Sequence, residues 1–332
     1  MKDASNKVVV CGGGGFIGGH LVGDLIRKGF KNIRVVDVKP KSDWYQVHPE
    51  AENLIADLNL RDAAFAAVKG SDVVINLACN MGGMGFIELN RGLCMISVLI
   101  NTHLLMGARE HGVKRFFYAS SACVYNADKQ KEKKLETFLK EEDAYPAMPE
   151  DGYGWEKLFS ERMCRHFRED WKVPTRVARF HNVYGPFGTW DGGREKAPAA
   201  ICRKVIAAKM SGNHDIEIWG DGQQTRSFMY IADCLKGIYM ITESDTWHDP
   251  INLGSAEGVT INQLVDIVED IAGIKLKRKY NLNAPKGVNG RNSDNTLIKK
   301  VFGWEPNTKL RDGLEITYRW IHDQMAGKAK SK

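Results

Sequence analysis

The sequence predicts an α/β protein: a doubly wound parallel sheet followed by a smaller carboxy-terminal domain. Three observations carry that prediction. Short apolar runs alternate with helical patterns from residue 7 to residue 180, with no internal repeat and no long linker, as βαβ units require. The first of these runs opens directly into a glycine-rich turn. After Phe180 the texture changes to turn formers and polar groups. Residues 1–180 are therefore expected to form the main domain, with 228–255 returning to it, and 181–326 to form the smaller, substrate-facing domain.

The bulk composition narrows the class. The chain has 332 residues, 43% of them hydrophobic and 27% charged, enough to bury a large core. Apolar runs are expected to fall short of the ~20 residues of a membrane span. The stretch Met1 to Lys7 lacks the apolar centre of a signal peptide, so a cytoplasmic protein with no membrane partner is expected. Seven cysteines with no C-x-x-C pair argue against a disulfide framework and against a zinc site, and no metal is expected. The net charge of +6 is scattered. Its densest piece, Lys129 to Lys140, is interleaved with Glu132 and Glu136 and reads as a solvated loop or helix face, so no nucleic-acid partner is expected. The basic balance suits an anionic small substrate.

Each element can be justified in order. Lys7 to Cys11 is a short buried strand. It leads into Gly12-Gly13-Gly14-Gly15-Phe16-Ile17-Gly18, in which Gly12, Gly15 and Gly18 have the spacing of a Rossmann dinucleotide turn. The helix that follows, with Ile17, Leu21 and Leu25 on one face, ends near Gly29 and aims its amino end at a pyrophosphate. Phe16 and Ile17 open that helix and join the candidate cofactor contacts. Asp37 closes the next strand 19 residues past Gly18. A carboxylate there accepts the adenosine ribose hydroxyls and repels a 2′-phosphate, which favours NAD over NADP, although Lys39 lies close by. Asp57 and Leu58 end another strand as the expected adenine-edge contact. Val73 to Ala78 is the fourth strand, with Leu77 facing the cofactor. The loop Cys79 to Gly85 can lie against cofactor or sugar without side-chain bulk, and a helix is expected from there to about His111.

The chemistry gathers around Phe116 to Tyr125, an apolar and aromatic strand that stops at small hydroxyl residues, where open α/β sheets bind ligands. Tyr153 and Lys157 are four residues apart and share a helix face on a helix extending to about Glu169. Ser121, Tyr153 and Lys157 beside a dinucleotide form a proton relay for an alcohol being oxidised, and the Cys123 thiol sits two residues beyond the serine. Arg176 to Phe180 returns to the sheet. His181 to Pro198 reads as a substrate-facing loop with His181 in a structural role. Trp219 to Phe228 reads as a hairpin, and Pro250 to Gly254 rejoins the main sheet. Thr260-x-x-Gln263 is a capping box opening a helix that Gly273 closes. Arg291 offers a guanidinium fork suited to a diphosphate.

The glycine pattern with Ser121 and Tyr153-x-x-x-Lys157 resembles the extended short-chain dehydrogenase/reductase superfamily over nearly the whole chain. Four stretches resemble one of its families, the GDP-mannose 3,5-epimerases: Met81 to Phe86, Ser120 to Cys123, Phe187 to Pro198, and Gln224 to Ser227 with Gly290 to Asp294. The resemblance implies an isomerase with tightly bound NAD that converts a GDP-hexose, GDP-mannose, to GDP-L-galactose and GDP-L-gulose. By the same match, Cys123 and Lys196 are its acid/base pair. Gly82, Ser121, Ala122, Cys123 and Asn182 face the hexose. Glu195, Lys196, Lys204, Gln224, Thr225, Arg226, Ser227 and Arg291 hold the rest of the nucleotide sugar. A homodimer is implied through helices near 88–111 and 152–169. The sequence departs from the family at Cys79, Asn80, Asn126 and Asn289, where Ala, Asp, Pro and Arg are expected, and the loss of an arginine at 289 bears on nucleotide choice.

Elementary chemistry supports the same reaction. Oxidising C4 of a hexose to a ketone makes the hydrogens at C3 and C5 abstractable. Tyr153, its phenolate favoured by the Lys157 ammonium and the nicotinamide charge, takes the C4 hydroxyl proton. Inversion then needs a base on one face and an acid on the other. A C4-epimerase acting on a UDP-, CDP- or dTDP-hexose is the alternative, but it leaves Cys123 and Lys196 idle. A nucleotide-sugar dehydratase wants an acidic pair where Ala122 and Cys123 stand.

Overall fold

The computed structural model describes residues 3–131, 138–285 and 287–330. It begins with β1 (Val8–Cys11), whose four residues are all buried, because a central parallel strand covered on both faces meets no water. Then follow α1 (Phe16–Arg27), β2 (Ile33–Asp37), β3 (Glu52–Ile55), α2 (Arg61–Val68) and β4 (Val73–Asn76). Three helices come next, α3 (Met84–Leu89), α4 (Arg91–Ile96) and α5 (Val98–Glu110), and lead to β5 (Arg115–Ser121). Beyond it lie β6 (Phe138–Leu139), α6 (Asp151–Trp171), β7 (Thr175–Phe180) and β8 (Val183–Tyr184). The remaining helices are α7 (Ala197–Ser211), α8 (Ile231–Thr242), α9 (Ile261–Ala272), α10 (Thr296–Phe302) and α11 (Leu310–Lys330). Between them run β9 (Asp215–Trp219), β10 (Thr225–Ser227), β11 (Met229–Tyr230), β12 (Ile251–Leu253), β13 (Gly258–Thr260), β14 (Lys277–Asn281) and β15 (Gly290–Ser293).

Among the described residues, seven strands form one sheet in the order β12-β7-β5-β4-β1-β2-β3, with every pairing parallel. Strand order reverses at β1, where Val8 stands beside Ile33 on one side and Val73 on the other. Open α/β sheets bind ligands in the crevice at such a point. Alternation along β5 sends Phe117 to a core with Leu21, Leu25 and Ile238, and Phe116 to the opposite core with Leu104 and Val177. Each such side chain contributes about 1.5–3 kcal/mol by burial. A buried ion pair also fastens α6 to the sheet: Glu161 receives Arg179 through Nε at 2.9 Å and Nη2 at 2.8 Å, and Arg179 Nη1 donates to the Glu141 carbonyl.

Several expectations need correction. The helix expected to run to about His111 is broken at Asn90 and Ser97, where the Ser97 hydroxyl turns to accept the Asn80 N–H at 2.9 Å. The 20-residue stretch Arg91–Glu110 is also long and apolar enough, with a mean hydropathy of 1.3 over an 18-residue window, to cross a membrane by length and composition, contrary to the expectation of short apolar runs. In the fold it is split into α4 and α5, which pack on α2 and α6 and leave Leu93, Met95, Ile96, Leu99 and Met106 exposed.

The hairpin expected over 219–228 does not form. β9 pairs with β14, while β10 pairs with β13 and β15, so the glycine turn between them links two different sheets. That turn is anchored by α9: Asn262 donates its backbone N–H to the Gly222 carbonyl at 3.0 Å, and its Nδ2 to the Asp221 carbonyl at 3.3 Å. The second, four-stranded sheet has the order β13-β10-β15-β6, so its edge strand, Phe138–Leu139, comes from ahead of the boundary placed at 180. β12 lies in the main sheet beside β7. The capping box at Thr260 and Gln263 forms with reciprocal bonds of 3.0 and 2.8 Å, and Gly273 closes α9 in the left-handed region. Of the charged stretch 129–140, residues 132–137 lie outside the described residues.

Candidate active site

The glycine turn after β1 is held where side chains will not fit. Gly12 has φ +80°, and a Cβ there would lie 2.9 Å from the Ala78 backbone nitrogen. A Cβ on Gly18 would lie 2.6 Å from Gly13 Cα and closer still to the Gly12 carbonyl oxygen. The turn and the amino end of α1 are thereby pressed against the segment leaving β4, with bare backbone facing the crevice. Asp37 is buried at the end of β2 and accepts the Lys39 N–H at 3.0 Å, while Lys39 Nζ donates to the Gly14 carbonyl at 2.8 Å. The Lys39 ammonium is thus tied to the glycine turn. Asp57 accepts two bonds from Asn59.

A cleft of ≈ 720 Å³ runs along this crevice, the size class of a cofactor site. The structure brings Gly12, Gly15, Phe16, Ile17, Gly18, Asp37, Asp57, Leu58 and Leu77 to its wall. Ser121, Tyr153, Lys157 and Lys196 line it too. A turn that excludes Cβ atoms, the opening of a helix and a buried carboxylate fit a dinucleotide without a 2′-phosphate.

The relay is built by β5 and α6. Lys157 Nζ donates to the Ala119 carbonyl at 3.1 Å, lies 3.6 Å from Glu156 Oε2 and sits 5.6 Å from the centre of the Tyr153 ring. Burial works against its ammonium, but Cys79 and Glu156 outweigh burial and lift its pKa above the ordinary value. For Tyr153, burial comes first and pushes the phenol well above its usual range; Cys79, Cys123 and Glu156 add to this, and a hydrogen bond with Ser121 opposes it. The phenolate expected from Lys157 is therefore not favoured by the protein's own groups.

Cys123 lies in a 3-10 turn, Ala122–Val124, directly after β5, where the Ser121 Oγ accepts its backbone N–H at 3.2 Å. The thiol packs in one cluster with Tyr153, Ile87 and Cys94. Burial pushes its pKa up, Arg291 lowers it, and Glu150 raises it again. Lys196 is the residue before α7; burial pushes its ammonium down, while Cys123 and Cys79 push it up.

The other substrate candidates do not line this cleft, and these include Ala122 and Cys123, which lie buried just behind the Ser121 wall. Gly82 precedes Gly83, whose N–H donates to the Arg194 carbonyl at 3.1 Å and joins the glycine-methionine loop to the Lys196 segment. Asn182, at φ +42°, donates from Nδ2 to the Ser227 carbonyl. Glu195 turns back on its own loop, accepting from Gly193 and from Arg203. Lys204 donates to the Glu217 carbonyl, and its ammonium lies 5.8 Å from the centre of the Trp219 ring. Gln224 donates to the Trp219 carbonyl, and its buried Oε1 has no partner among the described residues. Arg226 reaches the Val288 carbonyl, and Thr225 and Ser227 are buried.

Arg291 corrects the sequence reading most directly. Its fork is committed inside the protein: Nε to Gln130 at 2.7 Å, Nη1 to Cys123 Sγ at 3.2 Å and Nη2 to Glu150 at 2.6 Å. The second sheet sets β15 beside β10 and aims Arg291 at the turn after β5, where side chains occupy its fork. Asn289 donates to the Lys131 carbonyl. Sequence reasoning missed Glu150 and Cys79. Glu150 stands three residues before Tyr153, a spacing that places it on the relay face of α6 and could have been read.

Residues 8–254 match the model of the NAD dependent epimerase/dehydratase family. Over 326 residues, GDP-mannose 3,5-epimerase 1 of Oryza sativa subsp. japonica is 45% identical, with 96% of this chain and 82% of that protein aligned. The GDP-mannose 3,5-epimerase of Arabidopsis thaliana is 44% identical over 333 residues, covering 98% of this chain and 84% of its own. Among solved structures, a UDP-glucose 4-epimerase of Thermotoga maritima with UDP-glucose superposes with a TM-score of 0.83 at 23% identity, covering 96% of this chain and 99% of that one, and shares the fold. MoeE5 in complex with UDP-glucose and NAD gives 0.79 at 26% identity with the same coverage.

Proposed function

The chain belongs to the NAD dependent epimerase/dehydratase family and, within it, to the GDP-mannose 3,5-epimerases, and from that premise we propose that it converts GDP-mannose to GDP-L-galactose and GDP-L-gulose. One observation carries the reading: Cys123 shares a buried cluster with Tyr153, and Lys196 lines the same cleft as Tyr153, Lys157 and Ser121. A simple C4-epimerase has no use for a thiol and an amine at that place.

The Gly12–Gly18 turn, Asp37, Asp57, Leu58, Leu77 and Lys157 would hold NAD, which supplies a reversible hydride acceptor and a positive ring. Ser121 and Tyr153 would hold the C4 oxygen of the sugar. Because the protein's own groups keep Tyr153 a phenol, its phenolate would form only beside the positive nicotinamide ring, and it would then take the C4 hydroxyl proton as the C4 hydride leaves for NAD. Lys157, kept charged by Cys79 and Glu156, steadies that transfer. Once C4 is a ketone, Cys123 and Lys196 exchange protons with the flanking carbons. The two groups come from different elements, the turn after β5 and the segment before α7, as attack on opposite faces requires. The burial that raises the thiol and lowers the amine draws their proton affinities together, which suits a pair that must trade protons. Return of the proton from Tyr153 closes the cycle with no net redox.

The same reading includes a homodimer in the cytoplasm. α4, α5 and α6 pack together and expose Leu93, Met95, Ile96, Leu99, Trp155 and Phe159, an apolar surface suited to a second copy. Seven free cysteines suit a reducing compartment.

The test is to offer GDP-mannose beside UDP-, CDP- and dTDP-hexoses and to identify products by NMR. Inversion at C5, alone or with C3, on the GDP sugar is expected. Inversion at C4 of another nucleotide sugar, with no change at C3 or C5, would overturn the reading.

A further inference from the structure

The first turn of α6 is docked on the residue that carries the thiol. Glu150, which precedes α6, donates its N–H to the Cys123 carbonyl at 3.0 Å and accepts the Gly154 N–H at 3.0 Å. At Gly154 there is no room even for a methyl group, since a Cβ would lie 3.2 Å from the Cys123 carbonyl carbon and closer to its oxygen. The Glu150 carboxylate then reaches the same residue's side chain by way of Arg291, whose Nη2 it holds at 2.6 Å while Nη1 points at Sγ from 3.2 Å. Gln130 fixes the third corner of the guanidinium. Glu150 therefore touches Cys123 at two points, directly at the backbone and through a cation at the sulfur.

We propose that Glu150 is a positioning residue for the Cys123 thiol: its carboxylate pins Arg291 against Sγ and offsets that cation's charge, so that the thiol rests protonated beside the group that receives its thiolate. This rests on the reading of Cys123 as one half of the acid/base pair. The other groups facing the thiol are Tyr153 on α6, Lys196 before α7, Arg226 on β10 and Cys94 on α4. Glu150 is the carboxylate among them. Burial would raise its carboxyl, but Arg291 outweighs burial and holds it below its ordinary value, so it stays charged at neutral pH. A guanidinium alone at 3.2 Å would draw the sulfur toward thiolate. With the carboxylate beside it, a buried thiol keeps its proton until a sugar ketone is present.

The test uses the full chain with its bound NAD and no sugar. Alkylation of Cys123 by iodoacetamide is followed from about pH 6 to about pH 10, across the ordinary thiol pKa, and assigned by peptide mass spectrometry so that the other cysteines do not interfere. In Glu150→Gln the midpoint should fall by about 1–3 pH units, the effect of removing a carboxylate near a thiol. In Glu150→Asp, which keeps the charge, it should stay within about one unit of the wild type. Gln130 and the amide oxygen that replaces the carboxylate can still hold Arg291 beside Sγ, so Glu150→Gln removes the charge and keeps the cation in place. If Glu150 were only a strut for α6 with no charge effect at the sulfur, the midpoint would stay or rise, and that result overturns the proposal. Should Glu150→Gln not fold, Arg291→Gln carries the test with the opposite sign: the midpoint must rise, and an unmoved one refutes the coupling. A midpoint that falls in Glu150→Gln, together with a Cys123→Ala enzyme that still inverts the sugar, would uphold the coupling and remove Cys123 from the acid/base pair.

Discussion

Replacing Cys123 by alanine separates packing from chemistry. The structural cost is small. The side chain is 8% exposed and loses one buried sulfur, worth about 1 kcal/mol on the scale of a buried methylene. Arg291 loses one acceptor but keeps Gln130 and Glu150, so no charge is left unpaired. A protein with a stability of about 5–15 kcal/mol stays folded after such a loss. The catalytic cost is larger: removing a positioned acid or base lowers a rate by about 10²–10⁴-fold, or about 2.7–5.5 kcal/mol of barrier. Cys123→Ala should therefore retain NAD and melt close to the wild type while product formation from GDP-mannose falls by at least that factor. The assay is product NMR in D₂O, which reads deuterium at C3 and C5 and protium at C4 in the wild type. Lys196→Ala should lose inversion and keep some exchange, because the thiolate fraction of Cys123 can remove and return a proton on one face. A Cys123→Ala enzyme within about threefold of wild-type turnover, far short of the loss expected for a catalytic acid or base, would reduce the thiol to packing.

Other consequences follow from the same geometry. Tyr153→Phe should abolish exchange at C3 and C5 together with turnover; exchange at the wild-type rate would mean that no ketone precedes it. Gly18→Ala sets a methyl against the backbone of the cofactor turn, where overpacking costs about 1–3 kcal/mol, so the variant should purify with less than stoichiometric NAD, measured by absorbance after denaturation. His181 is fully buried and pushed down to about 3, by burial first, with Nε2 3.0 Å from Asn252 Oδ1. The unfolded chain protonates this histidine below about 6.5, so stability should fall between that pH and about 3 by about 1.4 kcal/mol per unit. The urea midpoint of His181→Gln should drop less than that of the wild type between pH 7 and pH 5, and parallel curves would refute the assignment. Light scattering should report a dimer for the wild type and a smaller species for Leu99→Asp on the exposed face of α5; a wild-type monomer at micromolar concentration would count against the dimer.

What could be read in the sequence depended on range. The glycine turn, Asp37, the Tyr153–Lys157 pair and the Thr260–Gln263 box are local devices, set by spacings of a few residues inside one βα unit or one helix. Their geometry follows from φ, helix pitch and hydrogen bonds that the same segment supplies. The breaks at Asn90 and Ser97 are different, because the Ser97 hydroxyl is drawn to the Asn80 N–H in another part of the chain. The supposed hairpin at 219–228 failed for a related reason. Its two strands find partners in β14 and β15, more than fifty residues downstream, and a glycine-rich turn between two strands looks the same whether or not they pair with each other.

Arg291 shows where residue-by-residue transfer from a resemblance stops. A guanidinium in a polar strand reads as an anion site, and only the packing reveals that its anion is a side chain, Glu150. That placement divides the chemistry between the two layers of the fold. The relay of Ser121, Tyr153 and Lys157 is built wholly from β5 and α6, within the parallel sheet and its helices. The thiol stands at the end of β5 as well, but its charge partner arrives from β15 in the second sheet, and Lys196 stands at the start of α7, whose side chains pack in the core of that second layer. On the proposed reading, oxidation at C4 would draw its relay from the main sheet and α6, whereas inversion would need both layers in register. A change that loosens β15 against β10 without touching α6 would disturb the proton exchange at C3 and C5 and leave the relay's geometry as it is. On the proposed reading the main sheet would make the ketone, and the second layer, through Arg291 and Lys196, would turn it toward epimerisation at the flanking carbons.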